Sequence, residues 1–427
     1  MIFLKLGSTG PYVEMIQLAL RRSGELTGNI DGIFGKETEN ALILFQKRNG
    51  LEHDGILGKN SFDRLKKFIT GYSYTTVMQG QDIKSIAEQF NTSESAILTA
   101  NPRLKDNPIA VGMKIVVPLN VTLATSEIRY TSLLVSLICE GLIVRYPFIN
   151  RFTYGRSVMG KSLNGLQIGN GKKQLMFNAS HHANEWITTP LLLRFAEVYA
   201  KAISEGKSVD VYNAKKLFNN VNLHILPLVN PDGVDLVTGA INESDITYEQ
   251  AEKLNYINIP FPSGWKANIL GTDLNLNYPA GWEEARKIKF EQGFTRPAPR
   301  DYVGSFPLSA PESRAVYEQT LKNNYLMTLS YHTQGKTIYW KYADFLPKYS
   351  EEIARFFSEQ SGYTYEETPA SSGNAGYKDW FIKRYDRPGY TIEAGLGTNP
   401  LPLTQFNEIF KDNLGILAGA LAIIANA

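Results

Sequence analysis

His182-Ala183-Asn184-Glu185-Trp186, read with His332 and Glu393 far downstream, decides the architecture of this chain. A catalytic zinc takes nitrogen and oxygen donors at about 2.0–2.2 Å from three side chains and keeps a fourth position for water. His182 and Glu185 have two residues between them, a spacing that lets both side chains point one way from a tight turn or a first helical turn. The preceding segment, Gln174 to Ala179 (QLMFNA), is short and apolar as a buried strand is. Thr189-Pro190 then reads as N-cap and N1 of a helix carrying Leu191, Leu192, Phe195 and Val198. The pair is therefore expected at the C-terminal end of a strand, where open α/β sheets place ligand sites.

The third ligand comes from a short list, because the chain has five histidines: His53, His181, His182, His224 and His332. His332 is the best candidate, since it follows the strand-like run Leu326 to Tyr331 and precedes Thr333-Gln334-Gly335. His224 alternates with apolar residues between Val221 and Val229 and reads as a strand residue. His181 is expected to face away from a metal held by His182, with an outer-sphere role left open. Glu393 closes another β-rich run, Gly389 to Glu393, just before Ala394-Gly395. A carboxylate there, beside a metal, is placed to take a proton from water.

Five motifs stand in the order found in zinc metallocarboxypeptidases: the His182 segment, Asn230-Pro231-Asp232-Gly233, Gly271-Thr272-Asp273-Leu274-Asn275, Ser330-Tyr331-His332 and Thr391-Ile392-Glu393. Over roughly residues 122 to 427 the chain resembles that family. The resemblance implies an α/β fold with a mixed, twisted sheet flanked by helices. It also implies one zinc ion (Zn2+) on His182, Glu185 and His332, and Glu393 as general base toward a zinc-activated water. In Trp265-Lys266-Ala267-Asn268, Lys266 stands where the family has the arginine that polarises the scissile carbonyl, a point charge in place of a planar fork. Leu276 stands where digestive members carry the arginine that binds the substrate's terminal carboxylate. An apolar residue cannot clamp a carboxylate, so ordinary trimming of L-peptides is disfavoured and Asn275 is left for polar contact. Thr368-Pro369-Ala370-Ser371-Ser372-Gly373 occupies the expected place of the family's cleft tyrosine; Tyr377 either substitutes for it or packs.

The other end of the chain carries a repeat: Asp31-Gly32-Ile33-Phe34-Gly35-Lys36 recurs as Asp54-Gly55-Ile56-Leu57-Gly58-Lys59, 23 residues on. Each Asp-Gly predicts a turn, each apolar pair an anchor, and each Gly-Lys leads to a helix start, at Thr38 or Ser61. Val13, Ile16, Leu18 and Leu20 mark an opening helix; Ala41, Leu42 and Phe45 mark the next. Residues 1 to 70 resemble the three-helix peptidoglycan-binding module. Residues 74 to 118 predict a βααβ unit, from Tyr74-Thr75-Thr76-Val77 through helical runs around Ile86 and Ile97 to Lys114-Ile115-Val116-Val117. This unit resembles a LysM domain, a family that binds glycans containing N-acetylglucosamine. Lys66 to Ser73 and Leu119 to Ser126 are expected as linkers.

Together these resemblances imply peptidoglycan or muropeptides as partner. The arrangement is similar to γ-D-glutamyl-L-diamino acid endopeptidases, which cut between γ-D-Glu and meso-diaminopimelate. The alternatives are a carboxypeptidase on muropeptides or γ-linked polyglutamate, and a wall-binding protein with an inactive catalytic domain. A formal net charge of +2 gives no argument for nucleic acid, and no stretch is long and apolar enough to span a membrane. Leu414 to Ala427, broken by Gly415 and Gly419, reads as a packed helix; Cys139 reads as core. Met1 to Gly7 shows no evident export signal, so cytoplasmic accumulation or association with the spore or cell wall is expected. Ile241–Gly264 and Gln292–Phe306 are candidate walls of the cleft, and Ser309-Ala310-Pro311-Glu312 has capping-box spacing.

Overall fold

The two Asp-Gly turns are clamped by a duplicated glutamine. In the computed structural model, which describes residues 2–369 and 372–427, helices α1 (Pro11–Arg22), α2 (Lys36–Arg48) and α3 (Lys59–Thr70) bundle around Val13, Ile16, Leu42, Phe45 and Leu65. Buried Gln17 of α1 donates to Asp31 Oδ1 (2.8 Å), the Ile33 carbonyl (3.1 Å) and Thr38 Oγ1 (3.0 Å). Buried Gln46 of α2 repeats the set with Asp54 Oδ1 (3.0 Å), the Ile56 carbonyl (3.0 Å) and Ser61 Oγ (3.1 Å). A buried amide needs such partners, and the repeat supplies them. Thr38 and Ser61 are thus drawn inward as third residues of their helices, which start two positions earlier than expected, at Lys36 and Lys59.

The next unit pairs β1 (Tyr72–Thr76) antiparallel with β2 (Lys114–Pro118) across α4 (Ile83–Gln89) and α5 (Glu94–Ala100). Its own core is Val77, Ile86, Ile97, Ile115 and Val117. Asp82 and Ser93 cap the two helices through their side chains. The expected linker from Lys66 to Ser73 is absent, because Lys66 to Thr70 completes α3 and Tyr72 already opens β1.

Neither unit hangs on a tether. Leu123 and Ala124, in the second expected linker, are buried and donate their backbone N–H groups to Glu197. Arg129 pairs with Glu14 of α1 (2.6 Å), and Lys66 of α3 pairs with Glu140 (2.8 Å). Gly141 lies so close to α3 that a Cβ there would meet the Thr70 carbonyl oxygen at 2.2 Å. The core of the helical unit is continuous with that of the large domain. The Tyr72 hydroxyl of β1 also donates to Glu140 Oε1 (2.8 Å), so both binding modules are packed against the domain that follows.

That domain opens with α6 (Ser132–Arg145) and forms one eight-stranded sheet. Its strands are β3 (Ile149–Arg156), β4 (Ser162–Ile168), β5 (Lys173–Ala179), β8 (Val221–Leu226), β9 (Tyr325–His332), β10 (Thr337–Tyr339), β11 (Thr364–Glu366) and β12 (Gly389–Glu393). A two-stranded hairpin, β6 (Ser208–Val209) with β7 (Tyr212–Asn213), lies outside it. The order is β11-β10-β12-β9-β5-β8-β4-β3. The four central strands β12, β9, β5 and β8 run parallel, and the flanks bring in antiparallel pairs, so the sheet is mixed. Leu175, Phe177 and Ala179 of β5, with Met327, Leu329 and Tyr331 of β9, face one core with α7 (Thr188–Glu205) and α15 (Phe406–Asn426). Met176 faces the opposite core, with α12 (Pro311–Leu321) and α14 (Tyr377–Tyr385). This period-2 division is what a sheet covered on both faces requires.

The remaining helices are α8 (Ala214–Asn220), α9 (Pro231–Thr238), α10 (Ile246–Leu254), α11 (Trp282–Glu291) and α13 (Ser350–Ser361). Two helix starts in the large domain also differ from expectation. Helix α7 begins at Thr188, and Thr189 sits in its first turn with its hydroxyl on the Pro227 carbonyl (2.6 Å) instead of capping. Helix α12 follows Ala310 with no side-chain cap, because Glu312 is buried and accepts from Val158 N (3.0 Å) and Asn268 Nδ2 (3.0 Å). Among the described residues no helix is long and apolar enough to cross a membrane. Cys139 is buried in α6.

Candidate active site

Parallel strands end on the same edge of a sheet, and here β5, β9 and β12 deliver the site there. His182 lies three residues beyond β5 and precedes a 3-10 turn, Ala183–Glu185. His332 closes β9 and Glu393 closes β12, and the two are register partners on adjacent strands. The three segments, 211 residues apart in sequence from His182 to Glu393, need only strand pairing to meet.

His182 Nδ1 lies 3.0 Å from Glu185 Oε1, and His332 Nδ1 lies 2.9 Å from Glu185 Oε2 and 3.0 Å from His182 Nδ1. All three side chains are buried, with donor atoms within 4.8 Å of one another. On its other side His182 Nε2 meets Asp273 Oδ1 at 3.1 Å. With that nitrogen donating to the carboxylate, the inward Nδ1 of neutral His182 presents a lone pair. Two imidazole nitrogens and a carboxylate converging out of water repel one another unless a cation lies between them, so the donor set fits one zinc ion. Burial disfavours the charged form of Glu185, yet the neighbouring imidazoles of His182 and His332 hold its carboxyl well below the usual range whenever they carry the proton. Asp273 is likewise held down, against its burial, by His182, Lys266 and the N–H of Asp301.

Asp273 stands in a motif the sequence had singled out, but its role emerges only from this contact. The available signal was chemical: a metal-binding histidine needs a partner for its second nitrogen. Asp273→Asn is expected to keep all three donors and weaken zinc binding about 10- to 100-fold. Competition with a chromophoric chelator measures it, and an unchanged zinc affinity would remove Asp273 from the site.

Glu393 is half-buried and makes no hydrogen bond among the described residues. Burial, with the Glu185 carboxylate adding, pushes its carboxyl up to about 8 against the pull of Lys266 and His182. Lys266 also borders the site. Burial lowers its basicity, but Glu185, Asp273 and Asp301 more than restore its charge. Its carbonyl accepts from Ala183 N (3.0 Å) and its N–H donates to the Pro299 carbonyl (2.8 Å), which ties the Trp265-Lys266 loop to the ligand turn. Asn230 reinforces this tie by donating to the carbonyls of His181 (3.1 Å) and Ala267 (3.0 Å).

Asn275 is half-buried. Its Oδ1 accepts from Tyr377 N (3.0 Å), which leaves its Nδ2 as the free end. Leu276 packs with Trp282, Ala285, Val303 and Ala375, so it fills a small core as well as lacking a charge. Tyr377 is fully buried with its hydroxyl against Thr320 Oγ1 (3.0 Å), so it packs below the site and supplies nothing to the cleft. Of the stretch from Thr368 to Gly373, Ala370 and Ser371 lie outside the described residues. His181 is buried against Tyr278, its Nε2 2.9 Å from the hydroxyl, and His224 Nδ1 bonds the Tyr325 hydroxyl (2.6 Å); neither joins the ligand set. Of the two candidate walls, 241–264 folds partly as α10, and 292–306 brings Arg300 and Asp301 beside Asp273.

The profile of the zinc carboxypeptidases matches residues 138–415, that of a peptidoglycan binding domain residues 9–65, and that of the LysM domain residues 75–118. The chain is 40% identical over 276 residues to gamma-D-glutamyl-L-diamino acid endopeptidase 1 of Lysinibacillus sphaericus, covering 65% of this chain and 68% of that protein. It is also 40% identical over 280 residues to the uncharacterised protein YqgT of Bacillus subtilis, covering 65% of this chain and 73% of that one. Among solved structures, carboxypeptidase A of Helicoverpa armigera superposes with a TM-score of 0.54 at 17% identity, over 84% of this chain and 98% of that one, a likeness of fold.

Proposed function

Because the chain belongs to the zinc carboxypeptidase family and is a zinc metallopeptidase with peptidoglycan-binding and LysM domains ahead of its catalytic domain, we propose that it hydrolyses peptidoglycan stem peptides at the bond between γ-linked D-glutamate and meso-diaminopimelate. The observation that carries this reading is the 40% identity, over 276 residues, to an endopeptidase named for that bond. Leu276 supports it, since a cleft with an apolar residue there has no clamp at that position for the terminal carboxylate of an ordinary peptide. The two N-terminal domains support a wall glycan as the partner and the cell wall as the place of action. A module that holds the glycan raises the effective concentration of its stem peptides near the catalytic domain.

In this reading His182, Glu185 and His332 hold one zinc ion. When bound, zinc supplies Lewis acidity and lowers the pKa of a water molecule. Glu393, half-buried at the strand end with no competing hydrogen bond, takes the proton of the attacking water and later returns it to the leaving amine. Lys266 offers its ammonium to the carbonyl oxygen as negative charge develops there. Asn275, its Oδ1 held by Tyr377 N, presents its amide N–H groups to the peptide. The test is mass spectrometry of products from defined muropeptides. An endopeptidase releases the diamino acid still carrying any following D-alanine. Release of single terminal residues from muropeptides or polyglutamate would replace this reading with a carboxypeptidase, and no cleavage at full zinc occupancy would favour a binding protein.

A further inference from the structure

The segment Pro299-Arg300-Asp301 is held beside the ligand set on both of its flanks. The Pro299 carbonyl accepts from Lys266 N (2.8 Å) and Ala267 N (2.9 Å), and Asp301 N donates to Asp273 Oδ2 (3.2 Å), the carboxylate that orients His182. Asp301 takes a left-handed backbone, φ 63°, a conformation that costs a non-glycine residue energy and is kept where its surroundings over-determine it. Between these anchors the Arg300 side chain is 46% exposed, with Nε donating to Asp301 Oδ2 (2.6 Å). Asp301 Oδ1 is taken by Lys289 (2.7 Å), so one carboxylate serves two cations and leaves positive charge over. Among the described residues the two terminal nitrogens of Arg300 have no hydrogen-bond partner. The charges of Asp273 and Glu185 also act on Arg300 and help to keep its guanidinium protonated, and Arg300 in turn acts on Lys266.

A guanidinium pinned through Nε, with its outer edge free, is a preorganised fork for a carboxylate. We propose that Arg300 is the carboxylate-binding residue of this cleft, holding an anionic group of the substrate that flanks the scissile amide, a task Leu276 cannot perform. The inference rests on the stem-peptide reading above. In that substrate three groups offer the same chemistry, the α-carboxylate of the γ-linked glutamate and the two carboxylates of the diamino acid.

The test uses the full zinc-loaded chain and four synthetic peptides, L-Ala-γ-D-Glu-meso-diaminopimelate and the same peptide amidated at each of its three carboxylates in turn. Arg300→Gln is expected to raise KM for the unmodified peptide about tenfold or more, equivalent to about 1.4 kcal/mol, with kcat within about threefold. It should also erase the wild-type preference for the free over one amidated form, and the form affected identifies the carboxylate. Arg300→Lys is expected to recover part of the loss, as a charge without the fork. Arg300→Gln with wild-type zinc content and melting, an unchanged KM and intact discrimination against all three amidated peptides overturns the assignment. Failure of the wild type to cleave any of the four overturns the stem-peptide reading instead, and removes the premise of this one.

Discussion

Glu393→Ala is expected to bind one zinc ion per chain, to melt as the wild type does, and to lose about 10²- to 10⁴-fold in kcat, the range supplied by a positioned acid–base group. The separation of binding from turnover follows from its place. Glu393 is not among the three converging donors, and it makes no hydrogen bond whose loss would leave a buried partner unsatisfied. Its backbone, which pairs with His332 and with Thr337, is unaffected by truncating the side chain. Steady-state hydrolysis of a tri- or tetrapeptide stem, run beside metal analysis, measures the effect. Unchanged hydrolysis would sink the general-base assignment; loss of zinc would mean that the carboxylate serves the metal instead.

His332→Ala is expected to lose both zinc and activity, because it leaves two protein donors where a catalytic zinc takes three. A ligand that binds only the folded chain stabilises it by about 4 kcal/mol at a thousandfold excess over Kd. The wild type should therefore melt at a lower temperature after chelation, while His332→Ala melts at the same temperature with and without chelator. A variant that still held one zinc, with melting sensitive to chelator, would exclude His332 as a ligand. Asp273→Asn falls between these limits, since it removes the group that orients a donor and not the donor itself.

Much of the site was legible because its chemistry is compressed into short motifs at strand ends. Two residues between His182 and Glu185, a histidine closing one apolar run and a glutamate closing another are local patterns, and parallel strand pairing brings such ends together. The repeated Asp-Gly turns were legible in the same way. The glutamines that make sense of them were not, because Gln17 and Gln46 sit at helical positions with no distinguishing spacing, and only packing turns them toward the turns. Glu312 misled for the opposite reason: its spacing from Ser309 fits a capping box, but a buried partner, Asn268, holds its carboxylate more strongly than the helix end does. The linkers misled too, since a short stretch between two recognised units does not disclose that Leu123 and Ala124 are buried against Glu197.

By itself the sequence determined the fold class, the donor set for one metal ion and the order of the three units, because periodicity and motif order are properties of the chain read in one dimension. Tertiary structure decided that Asp273 orients His182, that Leu276 and Tyr377 are packing residues, that the modules are docked, and that Arg300 is pinned through Nε beside a segment tied to Asp273 and Lys266. The physical reason is that a ligand's identity is a local choice of side chain, whereas orientation, burial and a charge left unpaired depend on neighbours that only the folded chain brings together.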